Sequence, residues 1–320
     1  MFEIVSFGEL LIDFTPVGLS ENGNPIFERN PGGGPANMAC AAAKLGAKTA
    51  FMGKVGDDIF GRALQKVLEG QNVDARGLLL SKDDKTTLAF VQLDETGDRS
   101  FSFYRKHAAD TMVRFEELDL SILEGNPFFF FSSVMMAEGP SRQTSFQLAE
   151  YARQKGCTVV FDPNLRFNLW EDTSEMRALC HRALALSQII KVSEEEVTWL
   201  MEEPDVEKAA RLLQETYRPM ILLVTLGKAG CAIRSCFGDL QLPGFTVDTV
   251  DTTAAGDSFT GGFLSRLSSL GKPLIQCDLG DIAACAIFAN AVGALTTTRK
   301  GAISALPSLE QVERFLRSNL

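Results

Sequence analysis

The stretch Val250-Asp251-Thr252-Thr253-Ala254-Ala255-Gly256-Asp257-Ser258-Phe259 sets three consecutive small residues before a single carboxylate, just where a helical apolar pattern begins. Small residues let a ligand approach the backbone. The open N–H groups of a helix start, reinforced by the macrodipole, attract an anion such as phosphate. Asp257 would then face that anion as a base; the alternative is that it only caps the helix.

Nearer the front, Asn30-Pro31-Gly32-Gly33-Gly34-Pro35-Ala36-Asn37 runs into an alanine-rich segment that stops at Gly46. The glycines permit a tight turn, Pro35 suits a first helical turn and Gly46 suits a helix stop. The spacing is not GxGxxG, and no GxxxxGK followed by Ser or Thr occurs, so dinucleotide-binding and P-loop readings both fail. Asn37 can aim its amide at a ligand held over the loop, and Asp13 follows the first predicted strand closely enough to join it. Sugar hydroxyls need such paired donors and acceptors.

Asp162-Pro163-Asn164-Leu165-Arg166 follows another strand-like run, at the sheet edge where open α/β proteins bind ligands. Arg166 there pairs with a phosphate or is a surface arginine on a stiff turn. Ser193-Glu194-Glu195-Glu196 opens a helix, and an acidic first turn is ordinarily capping and dipole chemistry. In a nucleotide site, Glu196 would help to hold hydrated magnesium. Thr225-Leu226-Gly227-Lys228 supplies a glycine turn after a further strand, where a nucleotide can lie.

These residues need a scaffold, and the apolar runs provide one. Strand-length runs at 3–8, 49–53, 127–131, 158–161, 189–192 and 220–225 alternate with helical patterns at 35–45, 142–154, 193–201, 206–215, 256–270 and 281–295. The alternation predicts a parallel sheet flanked by helices. The phenylalanines at 128–131 fit a strand buried on both faces. Residues 10–30 and 86–105 break the rhythm with strand-like composition and no helix, and Glu95-Thr96-Gly97-Asp98 supplies a turn. They predict a small antiparallel lid inserted into a main domain made of 1–9, 31–85 and 106–320. Period two sets Phe101, Phe103 and Arg105 on one face of the last lid strand, either toward a cleft or as a packed hairpin with a solvated arginine.

Composition narrows the classes. The chain of 320 residues, 45% hydrophobic and 22% charged, can bury one large core. A formal net charge of -10 with no concentrated basic face excludes nonspecific nucleic-acid binding. No apolar run approaches the roughly 20 residues that span a bilayer, and the start lacks the basic flank of a signal peptide. A soluble cytoplasmic protein with no membrane partner is expected. The seven cysteines are scattered without CxxC, and there are only two histidines, which fits reduced thiols. Cys231 and Cys236 flank a predicted strand turn and make a weak metal pair.

Together these segments resemble the ribokinase-like (PfkB) carbohydrate kinases over essentially the whole chain, and fructokinases within them. The front signature is matched by Gly32 to Gly61, including Gly53-Lys54-Val55-Gly56-Asp57-Asp58, and the rear signature by Val250 to Phe259. Phe103-Tyr104-Arg105, Asp162 to Arg166, Ile190 to Glu196, and Phe288-Ala289-Asn290 through Gly301-Ala302 are similar to fructokinase segments.

The resemblance implies a three-layer α/β/α main domain with a β-sheet lid, and ATP- and Mg²⁺-dependent phosphorylation of a sugar hydroxyl, with fructose 6-phosphate as the expected product. It implies Asp257 as the base and Ala254, Ala255 and Gly256 as the anion hole. It places Asp13, Gly33 and Asn37 on the sugar, and Phe103, Arg105 and Arg166 on sugar or phosphate. Lys191, Ser193, Thr225, Gly227 and Asn290 fall on the nucleotide side, and Glu196 where an NxxE motif influences magnesium. Asp251, Thr253, Arg299 and Gly301 resemble positions that bind an activating K⁺.

Three positions depart from the family pattern. Ala254 stands where glycine is common, harmless with a negative φ; Ser193 replaces the asparagine of NxxE; Lys106-His107 replace Asn-Pro. Rival readings are a 2-keto-3-deoxygluconate kinase, whose substrate carboxylate would engage Arg105 and Arg166, and a noncatalytic sugar-binding regulatory protein. A nicotinamide-dependent dehydrogenase rests on the alternation alone. Lid strands with open edges also suit a homodimer.

Overall fold

The computed structural model describes residues 1–93 and 99–319. The Glu95-Thr96-Gly97-Asp98 turn and the side chain of Phe101 therefore lie outside the described residues. In chain order the front half runs β1 (Ile4–Phe7), β2 (Leu11–Leu19), β3 (Pro25–Gly32), α1 (Gly34–Lys44), β4 (Thr49–Gly56), α2 (Ile59–Gly70), β5 (Val73–Ser81), β6 (Leu88–Leu93), β7 (Arg99–Tyr104) and β8 (Phe128–Ser132). There follow α3 (Pro140–Gln154), β9 (Thr158–Asp162), α4 (Thr173–Leu186), β10 (Ile189–Ser193), α5 (Glu194–Met201), α6 (Val206–Tyr217), β11 (Ile221–Thr225), β12 (Cys231–Ser235), β13 (Gly238–Leu242), α7 (Ala255–Ser268), α8 (Leu279–Thr296) and α9 (Leu309–Asn319).

Nine strands form one sheet in the order β13-β12-β11-β10-β9-β8-β1-β4-β5. It is parallel except at one end, where β12 and β13 pair antiparallel. Central position explains the composition of β8: between β1 and β9 it has no wet face, so Phe129, Phe130 and Phe131 are all buried. Phe129 and Phe131 join a core with Phe146 of α3, Cys180 of α4 and Val197 of α5. Phe130 points the other way, toward Met38 of α1, Phe263 of α7 and Ile282 of α8. Two helical layers on one sheet make the expected α/β/α sandwich.

Three helices in the structure have no counterpart among the predicted segments: α2, α4 and α9. Cys231 and Cys236 bracket strand β12 and do not flank a turn; all seven cysteines are free thiols. The helix α8 is apolar and long enough by composition to cross a membrane, contrary to the reading of the sequence. Half of it is buried within the protein, and Ile282, Cys285, Ala286 and Ala289 belong to the core. This is the pattern of a core helix.

The second sheet has the order β3-β2-β6-β7 and is mixed, because β2 and β6 run parallel. The prediction of an antiparallel lid is corrected at this central pair. Each strand of the pair leaves the main sheet in the same direction, so their contact is parallel, and only the two hairpins β2-β3 and β6-β7 are antiparallel. Phe14 stacks on Phe90 at 4.9 Å, and Tyr104 meets Phe90 edge-on at 5.4 Å. These aromatics give the small sheet its own apolar face.

Candidate active site

A cavity of about 600 Å³ lies between the small sheet and the carboxyl edge of the large one. Its walls include Asp13, Gly33, Gly34 and Asn37 from the front, Phe103 from the small sheet, and Arg166, Lys191, Glu196 and residues 252–257 from the rear. Thus segments more than two hundred residues apart in sequence meet at one site.

Helix packing brings them together. A side chain at Gly261 of α7 would come within 2.7 Å of the Met38 carbonyl and 2.8 Å of Ala41 Cβ, so glycine here lets α7 lie directly on α1. That approach carries Asn37 to Asp257, and Asn37 Nδ2 donates to Asp257 Oδ2 at 2.9 Å. The loop before α1 closes on the same point: a Cβ on Gly34 would meet Asn164 Nδ2 at 2.3 Å and Asp257 Oδ1 at 3.2 Å. A larger residue there would displace the Asn164 amide and crowd the Asp257 carboxylate.

The start of α7 has no side-chain cap, so its first-turn N–H groups have no partner within the helix. Asp257 accepts from Asn37, which removes the capping reading. Of the expected anion hole, the Ala255 N–H donates to the Thr252 carbonyl at 3.2 Å, so the open donors begin at Gly256. Ala254 departs from expectation most clearly. Its φ of 60° and ψ of 10° are left-handed, which an L residue adopts at a cost of roughly 1–2 kcal/mol. Negative φ would have made the alanine harmless; the turn instead demands the conformation that glycine adopts freely.

Charge is concentrated beneath the cavity. Lys191 Nζ lies 3.1 Å from Asp162 Oδ2 and 3.8 Å from Glu196 Oε2, with all three groups nearly inaccessible. It also sits 3.2 Å from where a Cβ on Gly256 would be, directly against the helix start. Burial opposes the lysine charge, but Asp162, Glu196 and Asp257 together hold its pKa above the ordinary value. A cation is therefore fixed beside an open helix N-terminus, which suits a multiply charged anion. Burial pushes Asp257 above the usual carboxylate range, partly offset by the Asn37 hydrogen bond and the charges of Arg166 and Lys191. Burial likewise raises Asp13 to about 6, with Arg166 pulling it down.

Ser193 and Glu196 form a capping box on α5: Ser193 Oγ accepts the Glu196 N–H and Glu196 Oε2 accepts the Ser193 N–H at 2.8 Å. Glu196 Oε1 takes the Leu165 N–H at 3.0 Å, fastening the 162–166 turn to α5. Carboxylate oxygens retain further lone pairs, so an outer-shell interaction with a hydrated cation is compatible with this bracing. No group of three His, Cys, Asp or Glu able to hold a metal alone occurs among the described residues.

The expected arrangement differs at several positions. Arg105 does not line the cavity. It is 5% exposed, with Nε 2.7 Å from Asp110 Oδ2 and an amino group on the Val134 carbonyl. Asp110 Oδ1 in turn accepts Thr87 Oγ1 at 2.5 Å, so one carboxylate pins the entrance to β6 and the exit of β7. Thr225, Gly227 and Asn290 also lie outside the cavity wall: Thr225 Oγ1 donates to the Val192 carbonyl, Gly227 opens a tight turn with φ of 53°, and Asn290 Nδ2 donates to the Pro243 carbonyl. Asp251 joins two loops, taking the Thr253 N–H and hydroxyl on Oδ1 and the Gly301 N–H on Oδ2. Arg299 is exposed beside this junction and lines a second cavity of about 300 Å³.

The model of the pfkB family carbohydrate kinases matches residues 1–309. The chain belongs to this family. It is 38% identical over 318 residues to the probable fructokinase-4 of Arabidopsis thaliana, covering 99% of this chain and 97% of that protein. The fructokinase of Xylella fastidiosa solved with bound ATP superposes with a TM-score of 0.92 at 32% identity, over 100% of this chain and 99% of that one. A double mutant of the Vibrio cholerae O395 fructokinase, solved with fructose, ADP and potassium, superposes with a TM-score of 0.90 at 33% identity, over 99% of this chain and 98% of that one.

Glu9 is a site group that the motif reading of this kinase passed over, and within the 162–166 turn that it singled out it gave a role to Arg166 but none to Asp162 or Asn164. Glu9 had a signal: it is the only charge between Ile4 and Ile12, in a run that is otherwise apolar or small. A carboxylate placed there is buried with the strand end, and buried charges occur where something uses them.

Proposed function

We propose that this kinase transfers the γ-phosphoryl group of ATP to a hydroxyl of fructose, giving fructose 6-phosphate. The observation that carries the reading is the Asp257 carboxylate held by Asn37 at the uncapped start of α7, inside a cavity walled by hydroxyl-binding groups. The names of the relatives support the choice of sugar and nucleotide.

In this mechanism Asp257 takes the acceptor proton as the oxygen attacks the γ-phosphorus and the bond to the ADP oxygen breaks. The N–H groups at Gly256 and Asp257, with Lys191 and Arg166, stabilise the charge on the migrating group; phosphoryl transfer asks chiefly for such positioning. Magnesium carried on the nucleotide phosphates would neutralise charge there, with Glu196 holding its hydration shell. Asp13, Gly33 and Asn37 hold the sugar, and Phe103 closes over it. The strands β2, β3, β6 and β7, within the 10–30 and 86–105 segments, would act as the lid that excludes water. Thr225, Gly227 and Asn290 would hold the nucleotide's far end, beyond the cavity wall. Asp251, Thr253, Arg299 and Gly301, on the loops that Asp251 joins, would hold an activating potassium ion.

The ion pair of Arg105 favours fructose over 2-keto-3-deoxygluconate. With Arg105 engaged by Asp110, Arg166 remains as the cavity arginine, and it already acts on Asp13 and Asp257. A sugar carboxylate would meet too little positive charge. The free thiols support a reducing, cytoplasmic setting. Exposed Val17, Leu19, Ile26 and Tyr104 on the small sheet support a homodimer through the lid, which light scattering would test.

ADP release measured over fructose, 2-keto-3-deoxygluconate, ribose, tagatose and adenosine, with and without K⁺, tests the reading. Fructose should give the highest kcat/KM; preference for 2-keto-3-deoxygluconate would overturn the sugar assignment, and no ADP formation would support the noncatalytic alternative. Asp257→Asn should lower kcat about 10²- to 10⁴-fold with sugar affinity little changed. Near-normal turnover in that variant would remove Asp257 as the base.

A further inference from the structure

Glu9 lies two residues beyond β1, is 3% exposed, and lines the cavity beside Asp13, Gly33 and Asn37. Its two oxygens have different circumstances. Oε1 accepts the Gly34 N–H at 2.8 Å and so braces the glycine loop. Oε2 is buried and has no hydrogen-bond partner among the described residues. Asn37 repeats the pattern: its Nδ2 serves Asp257, while its Oδ1 is buried without a partner among the described residues.

Two unpaired buried acceptors on one cavity wall carry the full desolvation penalty unless a ligand supplies donors. Gly34 packs between the carboxyls of Glu9 and Asp257, so Glu9 addresses a part of the ligand other than the reacting oxygen. Burial pushes the Glu9 carboxyl up to about 7, against the opposing pull of its own backbone N–H, of Arg105 and of the Gly34 N–H. Near neutrality such a group accepts in one protonation state and donates in the other. A hydroxyl satisfies both states, a methylene satisfies neither, and a carboxylate is repelled by the ionised one.

We propose that Glu9 is a specificity-determining residue for the acceptor: its free carboxyl oxygen pairs with one sugar hydroxyl that is not phosphorylated, selecting a polyhydroxy sugar over deoxy and carboxylated analogues. The inference rests on the kinase reading above and extends it to a particular contact. Arg105, clamped by Asp110, stays near enough to act on Glu9 and adds to the backbone N–H groups that favour its ionised form.

The test compares wild type with Glu9→Gln, which retains an oxygen for the Gly34 N–H, and with Glu9→Ala, on fructose and its 1-deoxy, 3-deoxy and 4-deoxy analogues. Wild type should lose about 10- to 100-fold in kcat/KM on one analogue, the expected effect of one unmet hydrogen bond to a buried carboxyl. Glu9→Gln, whose amide N–H still pairs with a hydroxyl, should keep that discrimination, whereas Glu9→Ala should lose a comparable factor on fructose, mainly through KM, and should treat that analogue and fructose alike. An equal loss on every sugar in Glu9→Ala would reduce Glu9 to a brace for the loop, and a wild type with no tenfold step among the analogues would overturn the proposal even if that variant failed to fold. Failure of wild type to use fructose at all would instead count against the functional reading, and the deoxy series of the sugar it does use would then decide Glu9.

Discussion

Replacing Ala254 by glycine should stabilise this kinase, whereas the same replacement one residue later should destabilise it. Ala254 is held at φ 60° and ψ 10°, a conformation costing an alanine roughly 1–2 kcal/mol and a glycine almost nothing. Against this, glycine regains freedom in the unfolded chain worth roughly 0.5–1 kcal/mol. The net gain for Ala254→Gly is about 0.5–1 kcal/mol. Ala255 begins α7 and is not among the residues of positive φ, so Ala255→Gly loses helix propensity and should cost up to about 1 kcal/mol.

The opposite signs make the pair a sharp test. At roughly 2.1 cal/mol/K per residue, a chain of 320 residues has a melting entropy near 0.7 kcal/mol/K, so 1 kcal/mol moves Tm by only about 1.5 °C. Parallel urea titrations of wild type and both variants, without nucleotide, resolve such differences better than melting does. Ala254→Gly should have the highest midpoint and Ala255→Gly the lowest. Because the open N–H groups begin at Gly256, kcat for Ala254→Gly should stay within about threefold of wild type. Two variants destabilised alike would refute the left-handed turn at Ala254.

Two further perturbations probe the charges around the site. Burial raises Asp257, so kcat/KM should fall as pH falls through a value above the ordinary aspartate range, and the acidic limb should vanish from the residual activity of Asp257→Asn. Asp13 also has a raised pKa, about 6 against 3.8, so its contribution to stability is fully present below 3.8 and is lost as pH rises through 6. Urea titrations should therefore show Asp13→Asn gaining on wild type at pH 8 relative to pH 5; no pH dependence of the difference would contradict the burial argument. Removal of Arg105 should cost about 3–5 kcal/mol, because Asp110 is left buried with only Thr87 as a side-chain partner among the described residues. The double change Arg105→Ala with Asp110→Ala should recover part of that loss, and strict additivity of the two single changes would deny the coupling.

Local chemistry in the sequence was legible where a residue's environment is set by its neighbours along the chain. The glycine loop, Pro35 at a helix start, the capping box of Ser193 and Glu196, and the twice-buried phenylalanines of β8 all follow from spacing, and all form as that spacing predicts. The failures share a different cause. Period two along β7 set Arg105 in line with Phe103, which lines the cavity, but a buried guanidinium is governed by the nearest carboxylate, and Asp110 lies just beyond the strand where strand periodicity no longer applies. Glu9 was passed over because motif logic looks for loops, whereas its significance comes from a strand end meeting Gly34 across the start of α1. The conformation of Ala254 could not be read from alanine at all. It is imposed by the tertiary demand that α7 begin against both Lys191 and the glycine loop, the kind of site at which a folded protein accepts local strain in exchange for a fixed arrangement of charge.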